Sequence, residues 1–386
     1  TFPYYFFSDN CSYHILSLLE VARPTLRLRE KVPPWVIPSE TIKVINQEKG
    51  LVAEKIYRPS LHSKIKQKLY LMTEQERDAV YKIIRNEIGP KEFKTLELAD
   101  DRKAFILDTL LDAYRFRKAN KTQDKEEDTI YRKFLLMRTE LPQEKDNDYK
   151  PVTTPPEAGH SILRLKTGLG YSTNGGFAEL AFRPAHHDLL NQDFGFVPNS
   201  ENLVLNFRVR TYAEEKKLFV EETNILKLVS FSPYNSISKL NSYFFNLGSD
   251  AAVVKNENFL KETEYKRVSM GNIEALYGYS FQNEYNPNLS RFMFSILSGI
   301  KAQSSNALEQ GYRVAPQLMF NLIGDFGKVK FVFSTAYYGY SILFGRDDYK
   351  TSLQFRYSIG LNHELRTEFF SQRYYNEAVI SCSYLF

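Results

Sequence analysis

From about residue 160 to its last residue the chain alternates. Leu203, Leu205, Phe207 and Val209 are interleaved with Val204, Asn206, Arg208 and Arg210. Leu353, Phe355, Tyr357 and Ile359 are interleaved with Ser352, Gln354, Arg356 and Ser358, and Ile380, Cys382, Tyr384 and Phe386 with Val379, Ser381, Ser383 and Leu385. A period of two gives each set its own face of a strand, which excludes helix for these runs. Turn signals separate them: Thr173-Asn174-Gly175-Gly176, Asn286-Pro287-Asn288, Gly324-Asp325-Phe326-Gly327 and Gly345-Arg346-Asp347-Asp348. About twelve strands are predicted, starting near His160, Gly176, Asn202, Lys217, Lys239, Glu264, Ser290, Gly311, Lys328, Tyr349, His363 and Asn376.

Periodicity does not say which face points inward. A soluble sandwich or lipocalin-like barrel turns its apolar rows in; a membrane barrel turns them out. An even number of antiparallel strands, many able to supply the roughly nine to eleven residues that cross a bilayer at a tilt, suits the membrane barrel. The aromatic content, 29 Phe and 26 Tyr beside a single Trp, suits interfacial girdles at the strand ends. The last strand ends on Phe386, which resembles the assembly signal of Gram-negative outer-membrane barrels. A polar lumen would hold Arg164, Arg208, Arg210, Arg356, Arg366 and Glu368, and in a narrow barrel such charges pair and fill it. Mean hydropathy is −0.41, and no run of ~18 apolar residues exists, so no helical span is expected.

The first 150 residues read differently. Helical spacing runs from behind Asp9-Asn10-Cys11 to before Pro24, over Ser39 to Ile45, Ser60 to Ile84, Asp101 to Lys118 and Ile130 to Leu141. Phe105, Ile106, Leu110, Leu111 and Tyr114 fall on one side of the fourth. Pro151, Pro155 and Pro156 mark a linker. The predicted organisation is therefore α+β and multi-domain: a helical segment over 1–150, a linker over 151–159 and an antiparallel β-barrel over 160–386. Lys and Arg total 51 against 46 Asp and Glu, a net charge of +5, with basic residues interleaved with acids as in Lys125-Glu126-Glu127-Asp128. No nucleic-acid partner is expected from such a balance. Cys11 and Cys382 cannot make a disulfide framework.

Cys11 is the residue most suited to chemistry. In the first turn of a helix, with Asp9 or Asn10 as the cap, unpaired N–H groups and the helix dipole favour a thiolate. A thiolate forms a thioester acyl-enzyme, given a base to take its proton. The same N–H groups could serve an oxyanion. The competing reading is a small packed cysteine at a helix start. His14 lies three residues on, where a helical pair rarely aligns a thiol with an imidazole. His160 reads as a residue of the barrel rim. No Gly-rich phosphate loop, zinc-spaced Cys/His set or Ser/His/Asp arrangement is apparent, so neither cofactor nor metal is expected. Two neighbouring histidines, His186 and His187, point apart and make poor joint ligands.

Three stretches in order resemble one family. They are Phe6-Phe7-Ser8-Asp9-Asn10-Cys11 with Ile15 and Leu18-Leu19-Glu20, then Phe182-Arg183-Pro184-Ala185-His186-His187-Asp188-Leu189-Leu190, then Val229-Ser230-Phe231-Ser232-Pro233 with the closing strands. This set is similar to Gram-negative envelope proteins with an Lnb-type N-terminal periplasmic domain. The resemblance implies a permuted, papain-like cysteine domain, then helices, then an outer-membrane barrel. Its catalytic His lies on a strand upstream of the Cys and has no counterpart in this sequence, so the fragment alone is expected to be inactive. With Cys11, Asn10 and Asp9 as the site, the implied activity is cysteine-dependent acyl transfer or hydrolysis on a lipid or lipoprotein, with outer-membrane lipid as partner and the N-terminal domain in the periplasm. The alternative is a non-catalytic barrel with a periplasmic plug or interaction domain. On either reading the 184–201 loop, with His186, His187 and Asp188, lies on the periplasmic side. It is long for a periplasmic turn, which suggests docking of the helical domain or a site at the junction.

Overall fold

The computed structural model describes residues 5, 10–32, 37–56, 58–120, 125–142, 154–213, 218–255, 265–283, 290–342 and 347–386. The first helix, α1 (Cys11–Ala22), packs on α2 (Pro38–Gln47) through a small core of Leu16, Leu26, Leu28 and Val44. Pro38 starts α2, where its missing N–H costs nothing. The single stretch expected from Ser60 to Ile84 is two helices, α3 (Leu61–Tyr70) and α4 (Glu74–Ile84). Thr73 divides them with a capping box: its Oγ1 accepts the Glu76 N–H at 3.3 Å, and Glu76 Oε2 accepts the Thr73 N–H at 2.8 Å. Arg102 also binds Glu76 through two bonds of 2.6 Å, and this holds the Glu76 carboxyl below the usual range.

A short α5 (Pro90–Lys94) was not expected. The next helix, α6 (Asp100–Ala119), buries Phe105, Ile106 and Leu107 in succession, then Leu110, Leu111, Ala113 and Tyr114. Consecutive buried positions cover more than one face, so α6 is a central helix, not the one-sided helix that the spacing suggested. Around it gather α3, α4, α5 and α7 (Lys125–Thr139), the last starting earlier than Ile130. Ile237, from a loop of the strand half, is 3 % exposed and belongs to this same helical core.

The strand half holds β1 (Arg164–Ser172), β2 (Gly175–Arg183), β3 (Ala185–His187), β4 (Ser200–Tyr212), β5 (Leu218–Ser230), β6 (Ser242–Lys255) and β7 (Tyr265–Gln282). It continues with β8 (Phe292–Ser304), β9 (Tyr312–Asp325), β10 (Val329–Tyr338), β11 (Asp348–Ser358), β12 (His363–Gln372) and β13 (Tyr375–Leu385). All pairings are antiparallel between neighbours in sequence, save two that close the ring. β1 meets β13 from Arg164↔Leu385 to Ser172↔Glu377, and β2 meets β4 from Phe177↔Tyr212 to Phe182↔Phe207. β3 continues the line of β2 beyond Pro184, which has no N–H for the ladder. The result is a closed barrel of twelve strands, with β3 as a short extension. Phe386 adds a last bond at the seam, its N–H donating to Leu163 O at 3.0 Å.

The faces answer the question that periodicity left open. Arg164, Arg210, Arg356 and Arg366 point inward and are at most 6 % exposed, whereas Leu169, Tyr171, Ile300 and Ile380 point outward and are each more than half exposed. A soluble protein does the opposite. The outward rows are a lipid-facing surface, with the charged residues in the lumen. Aromatic rings gather at both ends. Phe292, Phe326, Phe331 and Phe355 touch in series near the helix-side mouth, while Tyr171, Tyr312, Tyr337 and Tyr349 lie towards the far mouth. One alternating run breaks. Leu205 has a positive φ of 56° and takes no ladder partner, so Leu203 points into the lumen while Phe207 points out. The expectation that Leu203 and Phe207 share a face therefore fails at this kink.

The lumen is filled by paired charges. Arg210 binds Glu179 at 2.8 Å and Glu377 at 2.5 Å and lies 4.1 Å over the Phe177 ring. Lys166 binds Glu179 and Glu368 at 2.9 and 2.8 Å. Across β4 to β7 four asparagines run head to tail: Asn206 donates to Asn224 at 3.1 Å, Asn224 to Asn246 at 3.0 Å, Asn246 to Asn272 at 3.1 Å, and Asn272 to Asp250 at 2.7 Å. Between the layers a polar cavity of about 250 Å³ remains. Asn246→Ala would strand the Asn224 amide and the Asn272 carbonyl. Each buried orphan costs about 1–3 kcal/mol, so the barrel should lose at least about 2 kcal/mol. Urea unfolding in detergent micelles measures this, and a change below 0.5 kcal/mol, on the scale of roughly neutral surface substitutions, would show that the ladder does not stabilise the wall.

Candidate functional site

Cys11 is the first residue of α1, with its side chain exposed and its thiol free. Asn10 is the cap: its Oδ1 accepts the N–H groups of Ser12 at 3.0 Å and Tyr13 at 3.3 Å. Those two amides are therefore engaged and unavailable to an oxyanion, which corrects that part of the expectation. Asp9 lies outside the described residues. The ring of His14 stands edge-on to Tyr13, 6.2 Å between centroids. Cys11 makes no side-chain hydrogen bond among the described residues, and Cys382, the other free thiol, faces outward on β13. The thiol that the sequence singled out thus sits on a capped helix start, one turn from an imidazole that packs on its neighbour.

The second cluster lies at the helix-side mouth of the barrel, where the segment after β3 folds into the lumen. Asp188 is held by three wall arginines. Arg164 of β1 and Arg183 of β2 donate to Oδ2, the latter at 2.9 Å, and Arg366 of β12 donates to both oxygens at 3.0 Å. Asp188 Oδ1 also accepts the N–H groups of Leu190 and Asn191, at 3.1 and 3.0 Å, fixing a tight turn. Burial alone would raise the Asp188 carboxyl; Arg366, Arg164 and Arg183 hold it well below the usual range. Leu190 then enters an apolar cluster with Val229, Phe231, Leu276 and Met293, and Arg356 Nε donates to its carbonyl at 2.7 Å. The segment is a plug pinned to the wall.

Beyond it, His160 and His187 form a short relay. The His160 Nδ1 lies 2.6 Å from the Ser161 carbonyl, which only accepts, so Nδ1 carries the proton. Burial, then the neighbouring His187, push the His160 pKa down to about 3, leaving a neutral ring whose Nε2 accepts from His187 Nδ1 at 2.9 Å. The other His187 nitrogen faces Asp193 Oδ1 at 3.2 Å, and Lys330 of β10 binds both Asp193 oxygens at 2.9 Å. Phe196 stacks on both imidazoles at 4.4 and 4.5 Å. His160 is therefore not a loose rim residue; it is 1 % exposed and joins the linker to the plug. Its carbonyl accepts from Lys43 Nζ of α2 at 3.2 Å, which adds the helical part to the chain of contacts.

The flagged trio is thus divided. His187 and Asp188 serve two anchors of one plug, and the His186 side chain lies outside the described residues. Asp193, Phe196, Lys330 and Arg183 were not singled out as site residues. Asp193 and Phe196 follow closely in sequence, but Lys330 is brought there only by barrel closure. Among the described residues no group of three or more His, Cys, Asp or Glu is disposed to hold a metal ion.

Comparison with known proteins fits this division. A family model described as Domain of unknown function (DUF7840) matches residues 153–385, more than half of the chain, and the chain belongs to that family. The Lnb N-terminal periplasmic domain matches residues 1–48, and Domain of unknown function (DUF7842) matches 55–149. No curated protein matches. Similar solved structures include the KdgM porin in complex with disordered oligogalacturonate (11 % identity, TM-score 0.32, 58 % of this chain and 99 % of that one). They also include Omp33 of Acinetobacter baumannii (10 %, TM-score 0.28, 59 % and 99 %) and outer membrane phospholipase A from Escherichia coli (13 %, TM-score 0.28, 63 % and 95 %). The closed ring, the outward apolar rows and the Lnb domain together make this a Gram-negative outer-membrane β-barrel protein with an N-terminal periplasmic domain. The helix-side mouth is the periplasmic one.

The His160 shift carries a pH dependence. Its folded pKa lies below the unfolded value, so the unfolded chain binds the extra proton between about pH 6.5 and about pH 3. The stability that neutral His160 supplies is complete above that window and is lost as pH falls through it. Thermal unfolding of the detergent-solubilised protein should show a midpoint falling from pH 7 to pH 4, with a shallower fall in His160→Gln. Parallel slopes for the two proteins would show that the imidazole is not buried neutral.

Proposed function

We propose that the barrel is an anchor, and that it holds the Cys11 thiol at the periplasmic face of the outer membrane for acyl transfer or hydrolysis on a lipid or lipoprotein. The observation that carries this reading is the exposed thiol on the first residue of a capped helix, without a side-chain hydrogen bond among the described residues. The filled lumen supports the anchor role, because ion pairs and the plug segment after β3 occupy much of it and leave a polar cavity of about 250 Å³. The bond from Lys43 of α2 to the His160 carbonyl supports a fixed working position, since α2 shares its core with α1.

In this reading Cys11 attacks the acyl carbonyl and forms a thioester. The leaving group departs with a proton from a base that the resemblance puts on an upstream strand. Asn10 positions the nucleophile by fixing the helix start. The thioester then passes its acyl group to an amine or to water. The partners would be outer-membrane lipid and a phospholipid or lipoprotein substrate.

A second reading is favoured by one observation. The amides of Ser12 and Tyr13 are already capped by Asn10, which leaves the thiol without those oxyanion donors. The chain would then be a barrel that carries a periplasmic interaction module and no chemistry.

The two readings part on thioester trapping. Intact protein in outer-membrane vesicles, given a labelled phospholipid acyl donor, should acquire hydroxylamine-labile label on Cys11. Cys11→Ala should abolish it, and Cys382→Ala should leave it unchanged. An intact protein that never labels leaves the interaction module as the function.

A further inference from the structure

We propose that Arg164, Arg183 and Arg366 form an oxyanion-binding site in the periplasmic end of the lumen, and that Asp188 of the plug occupies it as a built-in competitor for a phosphate-class anion. The site stands independently of the Cys11 chemistry. Its three guanidiniums come from β1, β2 and β12, which are adjacent in the wall apart from β13 between β1 and β12. Asp188 comes from the loop. The wall therefore supplies the cations, and the loop supplies the anion.

One carboxylate does not use what the three guanidiniums offer. Arg183 is 0 % exposed, and its Nε and Nη2 make no hydrogen bond among the described residues; nor does Arg164 Nε, on a residue 6 % exposed. Only Arg183 Nη1 is committed, to Asp188 and to Asn191 Oδ1 at 3.0 Å. Buried donors left unmade are costly, and guanidinium forks match the geometry of phosphate and sulfate. The charge count points the same way: three arginines face two carboxylates, Asp188 and Glu364, the latter bound to Arg366 Nε at 2.7 Å. A fourth arginine, Arg356, adds positive charge beside them, with its bonded N–H groups given to carbonyls and Ser358.

The site has an approach. Arg164, Arg366 and Asp188 line the polar cavity of about 250 Å³, which is large enough for a hydrated oxyanion. Arg183 does not line that cavity, so an oxyanion entering there would reach its unused N–H groups by taking the place of the Asp188 carboxylate. Displacing Asp188 would release the turn that it caps and loosen the plug at that pin, while the Asp193–Lys330 pin would remain.

The test uses the full chain in detergent micelles and inorganic phosphate as the probe, against chloride at matched ionic strength. Asp188→Asn keeps an oxygen for the Leu190 and Asn191 amides and removes the competing charge. Its thermal midpoint should rise with phosphate at a half-maximal concentration at least tenfold lower than in the parent, and adding Arg183→Gln should abolish the rise. Equal phosphate responses in the parent and Asp188→Asn, or a response that survives Arg183→Gln, would overturn the proposal. Should Asp188→Asn not give a folded barrel, hydrogen exchange on the parent decides. Exchange at the Leu190 and Asn191 amides should quicken with phosphate and not with chloride, and exchange unaltered by phosphate would reject the site.

Discussion

Charge enclosed by a ring of strands in lipid has only itself to pair with. The wall of this barrel turns its apolar side chains to the hydrocarbon, so inward arginines and lysines depend on inward acids or, as Arg356 does, on carbonyls and a hydroxyl. Arg210 between Glu179 and Glu377, Lys166 between Glu179 and Glu368, and Lys301 with Asp250 and Glu274 all follow from that constraint. Removing one member of such a set leaves a buried charge uncompensated, which costs far more than the pair gains. The packed lumen is therefore a cooperative unit rather than a row of separate bridges, and its contents decide whether the barrel holds its shape.

The plug extends the same logic to a loop. A turn after β3 would ordinarily lie in solvent. Here Asp188 meets wall arginines on one side, Asp193 meets Lys330 on the other, and Leu190 supplies an apolar contact between them. The two imidazoles and Phe196 then connect the plug to the linker, and Lys43 connects the linker to α2. Together with Ile237 in the helical core, these contacts tie periplasmic helices, linker, plug and wall into one chain of interactions. Cys11 sits at the other end of that chain, on the small separate core that α1 and α2 share.

Much of the fold was legible in the sequence because strands and helices announce themselves by period. The last strand shows this best: Ile380, Cys382 and Tyr384 face out, and Ser381 and Ser383 face in, as the alternation requires. The lumen arginines Arg164, Arg210, Arg356 and Arg366 could be named for the same reason. What escaped depends on single backbone angles or distant partners. The positive φ of Leu205 reverses the phase of β4, and nothing in a run of Leu and Val signals it. The cap at Thr73 was visible as a Thr three residues before Glu76, yet the longer apolar pattern concealed it. At the plug, the histidines and Asp188 attracted notice by their local chemistry. Lys330 could not, and neither could the pairing of Arg366 with Asp188, because only closure of the ring brings these partners within reach.

The seam between β1 and β13 joins the two ends of the barrel sequence, and Phe386 makes its final bond to Leu163. Until the last strand arrives, β1 keeps a free row of amides and carbonyls, and bilayer hydrocarbon offers those groups no hydrogen bond. A nascent chain halted anywhere short of β13 would hold two raw edges at once, each a template for a stranger's strand. Closure of the ring must then wait for β13, so that β1, already paired with β2, gains its second neighbour only when that strand arrives.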